Sequence, residues 1–301
     1  MKDKIVVITG ASSGIGLATA RELARRGAEV AMVCRDAERA NAAREDVGAA
    51  ATGPQPQVFL ADLSVQRDIR RLADEIAEAY PRIDVLINNA GAVFARRELT
   101  IDGIEKTFAV NHLAPFLLTN LLLDQVRAAP AGRIITVGSE SYSSRLDFEN
   151  LQSEKKHHFL TAYFRSKLEN ILFTFELSRR LANTPVTANC LSPGPTKTRI
   201  GSNMDGWAGW FPRLVRNVPF FASPEKGAQT SVYLASSLEV AAVSGRFFIR
   251  CREAKTKPVT HDADLARRLW DVSEAFCRRS EPTSEGGSDE IRPSRLRASR
   301  D

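Results

Sequence analysis

The sequence predicts an α/β protein, a doubly wound parallel sheet with helices on both faces, three layers in a single domain. Two observations carry this prediction. Residues 5–8, Ile-Val-Val-Ile, form a continuous β-branched run that suits a strand buried on both faces. Beyond it, strand-like and helix-like stretches alternate as far as about residue 277, the pattern that right-handed βαβ units produce. The length of 301 residues accommodates one large domain.

The first strand runs into Gly10-Ala11-Ser12-Ser13-Gly14-Ile15-Gly16. Without Cβ atoms the backbone can turn sharply there, and a diphosphate can approach the N–H groups that open the next helix. That helix is expected from about residue 15 to 26, stopped by Gly27. A strand at 29–34 and a polar helix at 36–47 follow. After a Gly/Ala/Pro loop come a strand at 57–61 and a helix at 65–79, with Ser64 as its expected cap.

A strand at 85–88 leads through a polar loop to a long helical region at 102–126. That region carries an offset near Asn111, where an amide disfavours the helix interior. A strand at 133–137, a helix at 163–181 and a strand at 186–191 continue the alternation. Ser223-Pro224 reads as a helix start, with Ser as cap and Pro in the first position. A strand at 245–249 and a helix at 265–276 complete the domain, residues 1–277. Residues 278–301 are rich in Arg, Ser, Glu, Pro and Gly and are expected to form a disordered tail.

Composition narrows the function. The chain is 43% hydrophobic and 26% charged, as soluble globular proteins are. No stretch reaches the roughly 20 apolar residues of a membrane span; residues 113–123 come nearest, but Pro115, Thr119 and Asn120 interrupt them. The chain opens directly into a strand with no signal peptide, so a cytoplasmic location is expected. Cys34, Cys190, Cys251 and Cys277 have neither metal-ligand nor C-x-x-C spacing. No metal and no disulfide are expected. The net charge of +6 permits nucleic-acid binding, but the Arg residues are scattered and no aromatic-interleaved basic stripe exists. Nucleic acid is not an expected partner.

The chemistry lies in a set of residues at the predicted carboxyl edge of the sheet, where open α/β sheets bind ligands. Asn88-Asn89-Ala90-Gly91, Ser139 and Pro193-Gly194 each follow a strand. Tyr163 and Lys167 are four apart, so a helix puts both on one face. A phenol is a poor base at neutral pH, and a neighbouring ammonium favours its phenolate. Such a pair can pass a proton to or from a carbonyl or alcohol oxygen.

In this order, Thr9 to Gly16, Asn88 to Gly91, Asn111, Ser139, Tyr163 with Lys167 and Pro193-Gly194 resemble the signature set of the short-chain dehydrogenase/reductase superfamily. Residues 4–277 are similar to its retinol-dehydrogenase-like group, notably at 110–113, 168–173, 227–230 and 265–270. The resemblance implies a Rossmann-like fold with Tyr163 as general acid/base. Lys167 would lower its pKa and hold the nicotinamide ribose. Ser139 would bind the substrate oxygen, and Asn111 would support Lys167 through a bound water. Gly10, Ser12, Ser13, Gly14, Ile15 and Gly16 would line the cofactor diphosphate, and Asp62 and Leu63 the adenine. Asn89, Ala90, Gly91, Pro193, Gly194 and Thr196 would complete the cofactor site.

The cofactor is expected to be NADP. The position at the end of the second strand, where a carboxylate would hold the ribose hydroxyls of NAD, is Cys34. Arg35 beside it offers a fork of donors to a 2′-phosphate. Asp36, one residue on, keeps NAD as the alternative. Residues 196–222 contain Trp207, Trp210, Phe211, Phe220 and Phe221 and are expected to be a lid over a lipophilic substrate. Arg213 and Arg216 among them also suit peripheral contact with a membrane. The expected reaction interconverts a hydrophobic aldehyde or ketone and its alcohol by hydride transfer. A catalytically silent NADP-binding scaffold is the competing reading. Leu168, Ile171, Leu172 and Phe175 lie on more than one face of their helix, which allows a homodimer.

Overall fold

The computed structural model describes residues 1–194 and 222–278. The first half alternates β1 (Ile5–Thr9), α1 (Gly14–Arg25), β2 (Glu29–Cys34), α2 (Ala37–Ala50), β3 (Gln57–Leu60), α3 (Gln66–Ala79) and β4 (Val85–Asn88). Then come α4 (Lys106–Phe108), a π-helical segment (Ala109–Leu113), α5 (Ala114–Leu121), α6 (Leu123–Arg127) and β5 (Arg133–Val137). The second half holds α7 (Phe159–Arg180), β6 (Thr187–Ser192), α8 (Pro224–Ser236), β7 (Phe247–Ile249), β8 (Arg252–Glu253) and α9 (Ala263–Arg278).

The strands form one sheet in the order β3-β2-β1-β4-β5-β6-β7-β8, parallel throughout except for the antiparallel β8. Strand residues alternate between two cores. Val6, Ile8, Val30, Met32, Val85 and Ile87 pack under α1, α2 and α8. Val7, Ala31, Val33, Leu86 and Ile134 pack under α3, α5, α7 and α9. Burial on both faces explains why these strands read as unbroken apolar runs. The sheet therefore forms the middle of three layers in a single domain, as expected.

Several boundaries differ from the sequence reading, each for a physical reason. The cap of α3 is not Ser64: the Gln66 N–H donates to Asp102 Oδ2 at 2.9 Å, a contact from a distant loop that local pattern cannot reveal. The long helix expected at 102–126 starts at Lys106, where the Glu105 carboxylate caps the N–H groups of Thr107 and Phe108 at 2.9 Å each. The offset expected near Asn111 is the π-helical segment. α7 starts four residues before Tyr163. β8 was not expected, because Arg250 and Cys251 make its two-residue turn at φ 49° and 61°. Such turns usually carry Asn or Gly.

The apolar residues of α7 that allowed a homodimer are used inside the chain. Leu168, Ile171, Leu172 and Phe175 are buried against β6, β7 and Ala266 and Leu269 of α9. On the neighbouring face Trp270 of α9 stacks on Phe173 at 5.8 Å between ring centroids and meets Phe116 edge-on at 4.9 Å. These residues offer no apolar face to a second copy. The expected lid at 196–222 lies outside the described residues except for Ala222, and the expected tail does so from residue 279 onward. No helix of the described residues is long and apolar enough to cross a membrane.

Trp270 joins α9 to two aromatic rings and to the Arg180 guanidinium 4.1 Å above its face. Trp270→Ala is expected to destabilise the fold by about 3–5 kcal/mol, read as an earlier urea unfolding midpoint with the far-ultraviolet spectrum before unfolding unchanged.

Candidate active site

At the carboxyl edge the parallel register brings Thr9, Asn88 and Val137 into line, with Ile8 opposite Ile87, Asn88 opposite Thr136 and Val137 opposite Leu191. The sheet order reverses between β1 and β4, which opens a crevice there. Thr9 spans this crevice. Its hydroxyl oxygen accepts the N–H groups of Asn89 and Ala90, each at 3.0 Å, while Asn89 Nδ2 donates to the Thr9 carbonyl at 2.8 Å.

The glycine turn sits against this clasp. Gly10 and Gly14 take left-handed conformations, φ 68° and 57°. A Cβ on Gly16 would lie 2.3 Å from the Gly10 carbonyl oxygen and 2.5 Å from Asn89 Nδ2, so only glycine fits. Ser13 precedes α1 without a side-chain cap, leaving the first N–H groups of the helix available to an anion. Ile15 anchors the turn by packing on Ala18 and Ala228. This cradle fits the diphosphate of a dinucleotide.

Burial of Cys34 at the end of β2 pushes its thiol up to about 11, with the Ser12 hydroxyl working the other way. Arg35 is exposed. Asp36 is committed to α2, where its Oδ1 accepts the Arg39 N–H at 2.9 Å. Beyond β3, Asp62 Oδ1 accepts the Ser64 N–H at 2.9 Å, and Leu63 packs half-buried on the core. Pro193 and Gly194 end β6, Gly194 at φ 73° with its N–H donating to Ser192 Oγ at 3.2 Å. Thr196 lies outside the described residues.

Tyr163 and Lys167 project from α7 into the same crevice. Lys167 Nζ lies 5.5 Å from the centre of the Tyr163 ring and donates to the Val137 carbonyl at 3.0 Å. Burial pushes the Tyr163 hydroxyl up to about 12, and the Ser139 side chain beside it works in the opposite sense. Burial pushes Lys167 down to about 8. The Asn111 side chain is tied to the loop after β4 and to α7. Its Oδ1 accepts the Ala92 N–H at 2.8 Å, and its Nδ2 donates to the Ala92 carbonyl at 2.9 Å and to Ser166 Oγ at 3.0 Å. Gly91 lies between Asn111 and Lys167, since a Cβ there would stand 3.6 Å from Asn111 Oδ1 and from Lys167 Nζ.

Thr9 stands at the head of the signature stretch read from the sequence, but three other parts of this arrangement escaped that reading. The Val137 carbonyl carries no sequence signal because every residue has one. Ser166 donates to the Tyr163 carbonyl at 2.7 Å, a helical back-bond with no signature of its own. Glu140, beside Ser139, accepts the Ser192 hydroxyl at 3.2 Å, a pairing of residues 52 positions apart.

The fold and the glycine cradle define a dinucleotide-binding α/β protein with a tyrosine–lysine pair beside the nucleotide crevice. Comparison narrows the class. Residues 4–208 match the family model described as short chain dehydrogenase. Human retinol dehydrogenase 14 is 45% identical over 296 residues, 92% of this chain and 87% of that one. Human retinol dehydrogenase 13 is 41% identical over 272 residues, 89% and 82% of the two chains. An uncharacterised protein from Mycobacterium paratuberculosis superposes with a TM-score of 0.74 at 34% identity, covering 92% of this chain and 94% of its own. A short chain dehydrogenase from Burkholderia cenocepacia, solved in complex with NADP, superposes with a TM-score of 0.64 at 28% identity, covering 82% and 96%. The chain belongs to the short-chain dehydrogenase family and is retinol-dehydrogenase-like. It is an NAD(P)-dependent oxidoreductase acting on CH–OH donors.

The contact at Gly16 makes a direct test of the cradle. Gly16→Ala forces Gly10 and Asn89 apart at an overpacking cost of about 1–3 kcal/mol. It is expected to weaken dinucleotide binding roughly tenfold or more, read by isothermal titration calorimetry.

Proposed function

We propose that this chain is an NADP-dependent oxidoreductase that interconverts a hydrophobic aldehyde or ketone and its alcohol, with Tyr163 as general acid/base. The observation that carries the reading is the juxtaposition of Tyr163, Lys167 and Ser139 beside the glycine cradle. When bound, the nicotinamide supplies or accepts a hydride. Tyr163 holds its proton at neutral pH, because burial raises its pKa, and so can donate it to a carbonyl oxygen as that oxygen becomes an alkoxide. The Ser139 hydroxyl, on the same side, stabilises the charge developing there. Lys167 supports proton return to the tyrosine and holds the ribose when charged. Gly10, Ser12, Ser13, Gly14 and Gly16 hold the diphosphate.

NADP is supported by what the end of β2 offers. Cys34 is buried, Asp36 is turned into the cap of α2, and Arg35 is exposed to meet a 2′-phosphate. A 2′-phosphate meeting Arg35 gains charge-assisted hydrogen bonds, whereas no uncommitted carboxylate at Cys34 or Asp36 holds ribose hydroxyls. An apolar substrate is supported by the cluster to which Tyr163 belongs, in which Tyr163, Ala95 and Phe159 pack against Val93. The names of the retinol dehydrogenase relatives point to a long apolar substrate as well.

Absorbance of the reduced nicotinamide, followed with NADPH and NADH against aldehydes and ketones from short chains to retinal, tests the reading. NADPH oxidation is expected to prevail and to favour long apolar carbonyls. Tyr163→Phe is expected to lower kcat about 10²–10⁴-fold with NADPH affinity retained. Arg35→Ala is expected to weaken NADPH more than NADH, and a clear preference for NADH would overturn the NADP assignment. Because Lys167 titrates near pH 8, its ammonium is present below that pH and lost above it. The value of kcat/KM in the reductive direction is therefore expected to fall as pH rises through about 8.

A further inference from the structure

α7 carries a second polar pair that the proposed chemistry does not use. Arg165 and Glu169, one turn apart, are both buried, with side chains 8% and 0% exposed. Arg165 does not reach the tyrosine. Its guanidinium fork turns the other way, towards the loop between Ser139 and Tyr163. Nη1 donates to the Asn150 carbonyl at 2.7 Å and Nη2 to Ser153 Oγ at 2.9 Å.

The loop it grips is strained and closely held. Ser153 is buried in a left-handed conformation, φ 55°, which costs about 1–3 kcal/mol for a non-glycine residue and persists only where its surroundings enforce it. Its own N–H donates to the same Asn150 carbonyl at 3.0 Å. Next to it, the Gln152 carbonyl accepts Arg97 Nε at 2.8 Å, and Gln152 Oε1 accepts the Glu105 N–H at 3.1 Å. Leu151 is sunk into the main core. Four consecutive residues, 150–153, are thus tied from three directions.

The ties lead to the two sides of one apolar patch. Arg97 follows the segment carrying Val93 and Ala95. Arg165 shares its helix with Phe159 and Tyr163. Those four residues form one apolar cluster, in which Ala95, Phe159 and Tyr163 pack against the buried Val93. The 150–153 loop therefore joins one wall of the approach to Tyr163 to the other, with a buried arginine at one end and an exposed one at the other.

We propose that Arg165 is a positioning residue that, through the 150–153 loop and Arg97, sets the spacing of the apolar walls beside Tyr163 and so the size of carbonyl substrate admitted. The inference rests on Tyr163 being the acid/base. Glu169 backs Arg165 from the helix side. Its Oε1 forms an ion pair with Arg165 Nε at 3.6 Å, beyond hydrogen-bond length, and neither carboxyl oxygen has a hydrogen-bond partner among the described residues. Burial pushes its pKa up to about 8, against the pull of Arg165 and with the push of Glu105. A protonated Glu169 leaves the guanidinium charge directed at the loop's acceptors, and burial makes the loss of those acceptors costly.

The test compares Arg165→Met, Arg165→Lys and the exposed Arg97→Met with the parent protein. Two readouts are used: KM and kcat for a short and a long aldehyde with NADPH, and the rate of tryptic cutting at Lys155 and Lys156, just past the loop. For Arg165→Met the expected result is a KM for the long aldehyde raised about tenfold, with kcat and NADPH affinity within about threefold and faster cutting at both lysines. Arg165→Lys is expected to fall between Met and parent, since one of the two donors is regained. Arg97→Met is expected to shift KM and cutting the same way but less. Unchanged cutting in Arg97→Met and in a folded Arg165→Met would overturn the brace. So would parallel losses in kcat and NADPH affinity in the Arg165 variants. If Arg165→Met does not fold, Arg97→Met and Arg165→Lys decide. If the parent turns over none of the carbonyls, the cutting rates still judge the brace, and it is the reading of the site's activity that fails.

Discussion

The site depends on the clasp at the topological switch between β1 and β4. Two strands that are neighbours in the sheet but far apart in sequence must end level, or the glycine turn and the Asn89-Ala90-Gly91 segment would not face each other. Thr9 meets that constraint with one hydroxyl accepting two N–H groups and one carbonyl receiving the Asn89 amide. Asn89 then stands so close to Gly16 that no side chain fits between them. That close approach holds the glycine turn against the β4 segment and fixes where α1 begins, with its first N–H groups uncapped by the Ser13 side chain.

α7 concentrates the electrostatics. It carries Tyr163 and Lys167 towards the crevice and Arg165 and Glu169 away from it, all within two turns. Burying these groups is costly unless each charge finds partners. Lys167 finds the Val137 carbonyl and Arg165 finds the 150–153 loop. Burial shifts Lys167 downward and Tyr163 and Glu169 upward, so all three are displaced towards their neutral forms. The π-helical segment across from α7 has a related origin. It lets the Asn111 side chain bond the Ala92 backbone and Ser166 together, joining the helix to the loop after β4. Such bulges are frequent at functional sites.

Much of this was legible locally. β-branched runs marked the central strands because burial on both faces demands them, and the glycine spacing marked the turn because only glycine permits it. Tyr163 and Lys167 could be paired from helical periodicity alone. Asp36 was ambiguous in sequence, since a residue at the end of a strand can face a ligand or cap the next helix; its contact with the Arg39 N–H places it in the cap. The apolar residues of α7 were ambiguous for the same reason. Periodicity says that a face is apolar, not what covers it, and the cover proved to be α9 and the strands of the same chain.

By itself the sequence determined the α/β alternation, the glycine turn and the pairing of Tyr163 with Lys167, because each follows from backbone sterics or from spacing within one element. Tertiary structure decided which partners those residues keep. Asp102 capping α3, the Val137 carbonyl holding Lys167, Asn111 reaching Ala92 and Arg165 gripping the 150–153 loop are contacts between segments remote in the chain. No local periodicity encodes them, because each is fixed by how the layers pack against one another.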